Sequence, residues 1–249
     1  MSNIYLSPAQ RLPKTGSPGL LFGNIFVPLV PPRGPVSSEG LIFYDSFTND
    51  TADTGQARTV MGDMQIATDP FSGLSTAVAP GGSLFMYSTS GMADNTGNRT
   101  ISVWVKGGSL PSGTEWRAFF CAGQPLAGLH TTLNFRTGNK VVFSAAIDPL
   151  MLETPENALN QLAWNHIMLT QETGASSVTV SIYINNVLAA SGERALTIVA
   201  GDNISIGGGY WRSAVQDAFI GTIMAPRMYN RVLTEAERTM LYHEFGRTV

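Results

Sequence analysis

The 249 residues hold 15 Lys+Arg against 18 Asp+Glu, a formal charge of −3, and only 13% of positions are charged, half of the ~25% usual in globular chains. Sparse, scattered basic residues in an acidic balance exclude the electrostatic footprint of a nucleic-acid binder, and 43% hydrophobic residues exclude disorder throughout. The single cysteine, Cys121, excludes an internal disulfide, and no run approaches the ~18 apolar residues that a membrane span needs.

Residues 1–39 read as an extended arm that precedes a domain of residues 40–249. Pro8, Pro13, Pro18, Pro28, Pro31, Pro32 and Pro35 are interspersed with Gly16, Gly19, Gly23 and Gly34, a composition that serves both helix and ladder pairing poorly. Within it Leu20, Leu21, Phe22, Ile25, Phe26, Val27, Leu29 and Val30 form an apolar stretch too costly to leave in water. The arm is therefore expected to dock on another protein chain. It holds three basic residues and one acidic, which leaves 12 basic and 17 acidic residues, a formal −5, on the body. The first residues lack the basic-then-apolar pattern of a secretion leader, so the expectation is a protein made and kept in a reducing cytosol until assembly.

From residue 40 short β segments follow one another between turn residues, the pattern of a sandwich. Leu41–Tyr44 opens it, and Ser83–Tyr87 follows the turn Pro80-Gly81-Gly82. In 99–106 the residues Ile101, Val103 and Val105 alternate with Ser102, Trp104 and Lys106, which gives one aliphatic face. Further strands are predicted at 116–121, 131–136, 140–146 and 165–171. Cys121 ends the apolar run Ala118-Phe119-Phe120 and is expected to be a small buried hydrophobe. Val178, Val180, Ile182 and Ile184 repeat the alternation, and Asn185-Asn186 is a two-residue hairpin turn leading to Val187-Leu188-Ala189. Strands at 203–206 and 218–224 complete about a dozen, too many for one open sheet, so two packed sheets are expected. The one helix spans 234–245, with Thr234 as N-cap, Glu237 completing a capping box, and Ala236, Met240, Leu241 and Phe245 on one face. It is expected to close the end of the sandwich.

Chemistry-bearing constellations are few. His130, His166 and His243 are far apart and show no metal-ligand spacing, so no metal site is expected and His166 is expected to be structural. No Gly-x-Ser-x-Gly elbow occurs, and Gly207-Gly208-Gly209 has no following Lys-Ser/Thr to make it a phosphate loop. Of the acidic clusters, Glu153 with Glu156 is expected in a loop, and Glu235 with Glu237 is explained by capping and the helix dipole. Aromatic residues are the better candidates for a ligand site. Trp116 follows the loop 107–113, and Tyr210-Trp211, beside Arg212, follow the triple glycine. At such exits an aromatic ring can stack on a sugar or anchor a protein interface; the alternative is that these rings cap the sandwich ends.

Five segments in order carry a resemblance: Trp164-Asn165-His166, Tyr183-Ile184-Asn185-Asn186, Ile206-Gly207-Gly208, Phe219-Ile220-Gly221 and Tyr229-Asn230-Arg231-Val232-Leu233. Together with Gly40–Tyr44 and Ile101–Val105 they resemble the concanavalin A-like lectin/glucanase superfamily, in its laminin-G-like jelly-roll branch, over residues 40–249. The resemblance implies an all-β fold, a two-sheet antiparallel jelly-roll sandwich with one short C-terminal helix. That fold hosts lectins, hydrolases and adhesive modules alike. Asn185-Asn186 stands where the family often has Asp-Gly, and Met224-Ala225-Pro226 replaces the acidic pair that commonly follows the Gly-x-Ile strand. No cofactor is expected on these grounds, although the family leaves calcium open. The glucanase pattern Glu-x-Asp-x-x-Glu is absent, so catalysis is not expected.

An apolar arm joined to a jelly roll resembles virion proteins of tailed bacteriophages. The resemblance implies a structural protein in the virion, as head decoration or as a tail or fibre component. It would be anchored to other virion proteins by residues 1–39 and present in many copies or as a homo-oligomer, with host-surface glycan as a further partner. The alternative is a carbohydrate-binding receptor or adhesion protein, and the third reading is a glycan hydrolase.

Overall fold

The chain divides into two units, Met1–Pro35 and Val36–Val249. The computed structural model describes residues 19–22, 25–28, 37–70, 73–88, 97–123, 130–145, 151–194, 203–211 and 214–245. In the first segment β1 (Gly19–Phe22) and β2 (Ile25–Pro28) form an antiparallel pair with Phe22 opposite Ile25. The pair forms although the arm's composition serves ladder pairing poorly. Pro28 sits at the last strand position, where its missing N–H does least harm. Leu29 and Val30 lie outside the described residues.

The second segment is β3 (Leu41–Tyr44), β4 (Arg58–Met61), β5 (Gln65–Thr68), β6 (Ser75–Pro80), β7 (Leu84–Ser88), β8 (Arg99–Gly107), β9 (Arg117–Gly123), β10 (His130–Arg136), β11 (Lys140–Ala145), β12 (Leu152–Glu153), β13 (Asn165–Thr173), β14 (Val178–Ile184), β15 (Val187–Arg194), β16 (Asn203–Ile206), β17 (Gly209–Trp211), β18 (Ala214–Gln216), β19 (Ile220–Tyr229) and α1 (Glu235–Phe245). Among the described residues one sheet has the order β12-β11-β10-β9-β16-β7-β4, and the other β15-β14-β13-β8-β19-β6-β5 with β3 also on β19. All their ladders are antiparallel, which makes the all-β, two-sheet antiparallel sandwich with one short helix.

Period-two alternation builds the core. Ile101, Val103 and Val105 on β8, Ile167 and Leu169 on β13, and Val180 and Ile182 on β14 face Phe120, Leu133, Phe135, Phe143, Ile204 and Ile206 of the other sheet, all fully buried. A register shift between Leu133 and Asn134 inserts one extra β9 residue, so that Phe119 and Phe120 both join the core. Phe119, Phe135 and Phe219 meet at centroid distances of 5.0, 5.7 and 6.1 Å, within the range of edge and tilted aromatic pairs. At the edge of this core Asp45, fully buried, accepts from Arg58 Nε and Nη2, the Tyr87 hydroxyl at 2.7 Å and the Phe47 amide at 2.6 Å. Burial raises the carboxyl above its ordinary value and these donors pull it back.

Three predicted features differ. The last strand runs on to Tyr229, because a bulge between Met224 and Arg227, with Ala225 at φ 48°, takes Pro226 out of the ladder. Glu153 lies on a strand, β12, and not in a loop. The helix does not close an end of the sandwich. It lies on the outer face of the β8–β13–β19 sheet, where Leu241 packs on Met168, Tyr229 and Leu233, and Tyr242 packs beside Trp104 and Met224. Those outward apolar side chains needed a cover. Met240, expected on the buried face, is 37% exposed. The capping box forms: Thr234 N donates to Glu237 Oε2 at 2.8 Å, and Glu237 N donates to Thr234 Oγ1 at 3.3 Å. Hydrogen bonding from Arg231, ahead of the cap itself, holds the Glu237 carboxyl down at about 2. Asn185 and Asn186 both take positive φ, 51° and 66°, as a primed hairpin turn requires.

Candidate functional site

The outer face of the β9–β10–β11 region is the better candidate, and its residues follow from register. Outside the bulge Leu133 and Phe135 point inward, so Thr132, Asn134 and Arg136 point outward. Asn134 pairs with Ala118 on β9 and with Val142 on β11, and Val142 pairs with Glu153 on β12. One step further along β10, Arg136 pairs with Lys140, and the same register sets it across from Trp116, the residue before β9. The Arg136 guanidinium carbon lies 4.4 Å from the Trp116 ring centroid, a cation–π contact. In the other direction Thr132 pairs with Cys121, and Cys121 with Ser205. The face thus carries a wide-reaching row (Trp116, Arg136, Lys140), a middle row (Ala118, Asn134, Val142, Glu153) and a row of short side chains (Ser205, Cys121, Thr132).

Charges on this face are mutually held. Glu153 receives Arg136 at 3.4 Å and Lys140 at 3.3 Å, and Lys140 also lies 3.7 Å from Glu156. Arg117, next along the chain, donates to Ser109 O and Oγ and pairs with Glu115 at 3.1 Å. These bonds tie the loop before β9 to the strand's start, and Thr137 Oγ1 donates to Gly113 O at 2.7 Å from the β10–β11 turn. Behind the charged row Asn134 is 1% exposed, and its side-chain nitrogen has no hydrogen-bond partner. Burial pushes the Cys121 thiol up to about 11, so it is a packing group without nucleophilic character.

Of the residues singled out from sequence, Trp116 is in this group, half-buried with Arg136 against its ring. Tyr210 and Trp211 are not at a loop exit but on β17, paired with β18. That hairpin departs from the same end of β9, because Gly207 N donates to Phe119 O and Ala118 N donates to Asp217 O. Arg212 lies outside the described residues. Arg136, Lys140 and Asn134 were not singled out from sequence, and Glu153 only as half of an acidic cluster expected in a loop. The available signal was an asparagine in mid-strand, a residue depleted there.

The other outer face holds the second cluster of titratable groups. Ser102 Oγ and His166 Nε2 share a hydrogen bond of 2.8 Å. The His166 ring stacks on Trp104 at 5.0 Å, and Trp104 on Tyr242 of the helix at 5.9 Å and 9°. Burial lowers the imidazole to about 3, so it is neutral. A Ser–His pair alone suggests a nucleophile and base, but no carboxylate orients the ring, since Nδ1 has no hydrogen-bond partner. Ser102 and His166 are 2% and 1% exposed. The pair joins β8 to β13, Tyr242 of the helix lies 6.0 Å from the His166 ring, and the Arg227–Glu244 ion pair, with Arg227 4.3 Å over Tyr44, fastens the helix's last turn. Among the described residues no group of three or more His, Cys, Asp or Glu is placed to hold a metal ion.

A laminin-G-like family model of the concanavalin A-like lectin/glucanases superfamily matches residues 80–237. The chain belongs to this superfamily, as the fold and the ordered strand motifs lead one to expect. No curated protein sequence matches it. Among solved structures it is similar to domain 4 of AbnA, an extracellular GH43 arabinanase from Geobacillus stearothermophilus, in complex with arabinotriose (TM-score 0.59, 20% identity, 81% of this chain and 98% of that one). It is also similar to the binding domain of botulinum neurotoxin DC in complex with SialylT (0.61, 14%, 83% and 52%) and to that of Paraclostridial Mosquitocidal Protein 1 (0.58, 15%, 84% and 53%). The chain thus spans about half the length of these toxin domains. At such identities the likeness is one of fold.

Proposed function

We propose that the chain is a structural protein of a bacteriophage virion, whose jelly-roll body is a lectin-like, glycan-binding module and whose N-terminal arm anchors it to other virion proteins. The observation that carries the glycan reading is the group of Trp116, Arg136 and Lys140 in one row with Glu153 and Asn134 in the next. It combines an aromatic ring, a charged fork and an amide on a sheet face that α1 does not cover, the mixture of flat apolar surface and fixed polar groups that sugar rings need. The arabinanase domain and the toxin domain of the same fold, solved with arabinotriose and SialylT, support it. Binding, not cleavage, is the activity: Glu153 is held by two cations, so it is not free to act as a nucleophile. No cofactor takes part, so chelation by EDTA leaves binding unchanged.

The arm reading rests on the hairpin of Gly19–Phe22 and Ile25–Pro28, because an isolated two-stranded hairpin is at best marginal in water and this one is apolar throughout. The protein is made in the host cytoplasm and incorporated in several copies. Two measurements test the proposal. The protein on a glycan array gives signal, with no release of reducing sugar from the bound glycan. Deleting residues 1–39 abolishes incorporation into purified particles while the body still folds. Array silence sinks the first part, and particles that retain the truncated protein sink the second.

A further inference from the structure

We propose that the site on the seven-stranded sheet takes an uncharged sugar and not an acidic one, an inference that rests on the glycan-binding reading above. The first support is the charge balance. Arg136 and Lys140 share Glu153, Lys140 also faces Glu156, and Arg117 is held by Glu115. Two cations and two carboxylates close the central group, so an incoming carboxylate or sulfate must displace Glu153 and leave like charges side by side. A body carrying 12 basic against 17 acidic residues adds no long-range attraction for an anion. A hydroxyl-bearing ring meets no such penalty, because each hydroxyl both donates and accepts and can bridge the guanidinium and the carboxylate without separating them.

The second support is Asn134. It is 1% exposed, points from the middle row of the outer face, and its side-chain nitrogen lacks a partner. A buried amide nitrogen without an acceptor is costly, and Ala118 opposite it contributes only a methyl group. The oxygen of a ring hydroxyl or of an acetamido group supplies the missing acceptor, while Trp116, one step along the row, offers its indole to the C–H face of the ring. Asn134 is therefore a ligand donor held in reserve, and the salt-bridged row above it sets the preference for a neutral ligand.

The test is the full-length chain on a printed array of neutral, sialylated, sulfated and uronate-bearing oligosaccharides at ~0.15 M salt, with titration of the best probe and thermal unfolding of each variant. Neutral probes bind. Asn134→Leu, close in volume, weakens that binding roughly tenfold, the effect of one well-placed hydrogen bond. Glu153→Gln, on a half-exposed side chain, leaves folding intact and raises binding of the uronate and sialylated probes about fivefold at low salt, a gain that salt screens. Binding of acidic probes alone by the unaltered protein overturns this inference and leaves glycan binding standing. Undiminished neutral binding by a folded Asn134→Leu overturns the role of the amide. Silence toward every probe overturns both readings.

Discussion

The two outer faces of the sandwich start from the same alternation and end in opposite roles. On β8, β13 and β19 the outward residues include Trp104, Met168 and Tyr229, buried beneath α1. On β9, β10 and β11 they are Cys121, Thr132, Asn134, Arg136 and Lys140 beside Trp116. Large apolar groups on the first face had to be covered, and the helix does so. On the second the short side chains Cys121, Thr132 and Asn134 are buried, and the partly exposed groups in front of them, Arg136 and Lys140, are charges paired to Glu153. Each face carries a tryptophan in an aromatic or cationic stack, so a tryptophan alone says nothing of role. What separates the two is whether the stack is closed by the chain's own helix.

The largest effect expected from this contrast is on Trp104. It is 3% exposed and stacks between His166 and Tyr242, so Trp104→Ala leaves a cavity and loosens the helix. Urea unfolding is expected to show a loss of about 3–5 kcal/mol. A loss under about 1 kcal/mol would mean that the helix is an ornament on an independently stable sheet, and the contrast between the faces would collapse.

The second effect is pH dependence. His166 is held at about 3 by burial against an ordinary 6.5, so the folded protein keeps the ring neutral while the unfolded chain takes up a proton below about 6.5. Stability contributed by the neutral ring is complete above that value and falls with pH, by about 1.4 kcal/mol per unit, until the folded state protonates near 3. The carboxylates add slope of their own at the acid end, Glu237 among them. The informative quantity is therefore the difference between the parent and His166→Gln across pH 4–6.5. Parallel stability curves would show that the ring is not buried neutral under the helix.

How much of this could be read from the chain depends on distance along it. Local signals were reliable: the capping box at Thr234 and Glu237, the Asn185-Asn186 turn, and the aliphatic alternation of β8 and β14 all appear as expected. Short strands such as β4, β5 and β12 carry too few residues for periodicity to register. The helix's place on a sheet face was not legible, because its apolar positions are few and Leu241 and Tyr242, not Met240, make the contact. The site was legible only at Trp116. Its partner Arg136 lies 20 positions on, and the two meet because the β9–β10 register, bulge included, brings them together. In sequence Arg136 is one more polar residue on an alternating strand.

The smallest effect on stability is expected at Trp116, and its value lies in that smallness. The ring is half-buried and carries the Arg136 guanidinium at 4.4 Å, an interaction of about 0.5–1 kcal/mol at such sites. Trp116→Ala should therefore cost no more than about 1 kcal/mol in urea, a fraction of the Trp104→Ala loss, while abolishing signal on the glycan array. The two tryptophans then separate cleanly: loss of one costs stability and loss of the other only the binding. If Trp116→Ala instead destabilises the domain as much as Trp104→Ala does, the ring is a structural cap at the end of β9. The polar face would then lose the aromatic surface on which the sugar-binding reading depends.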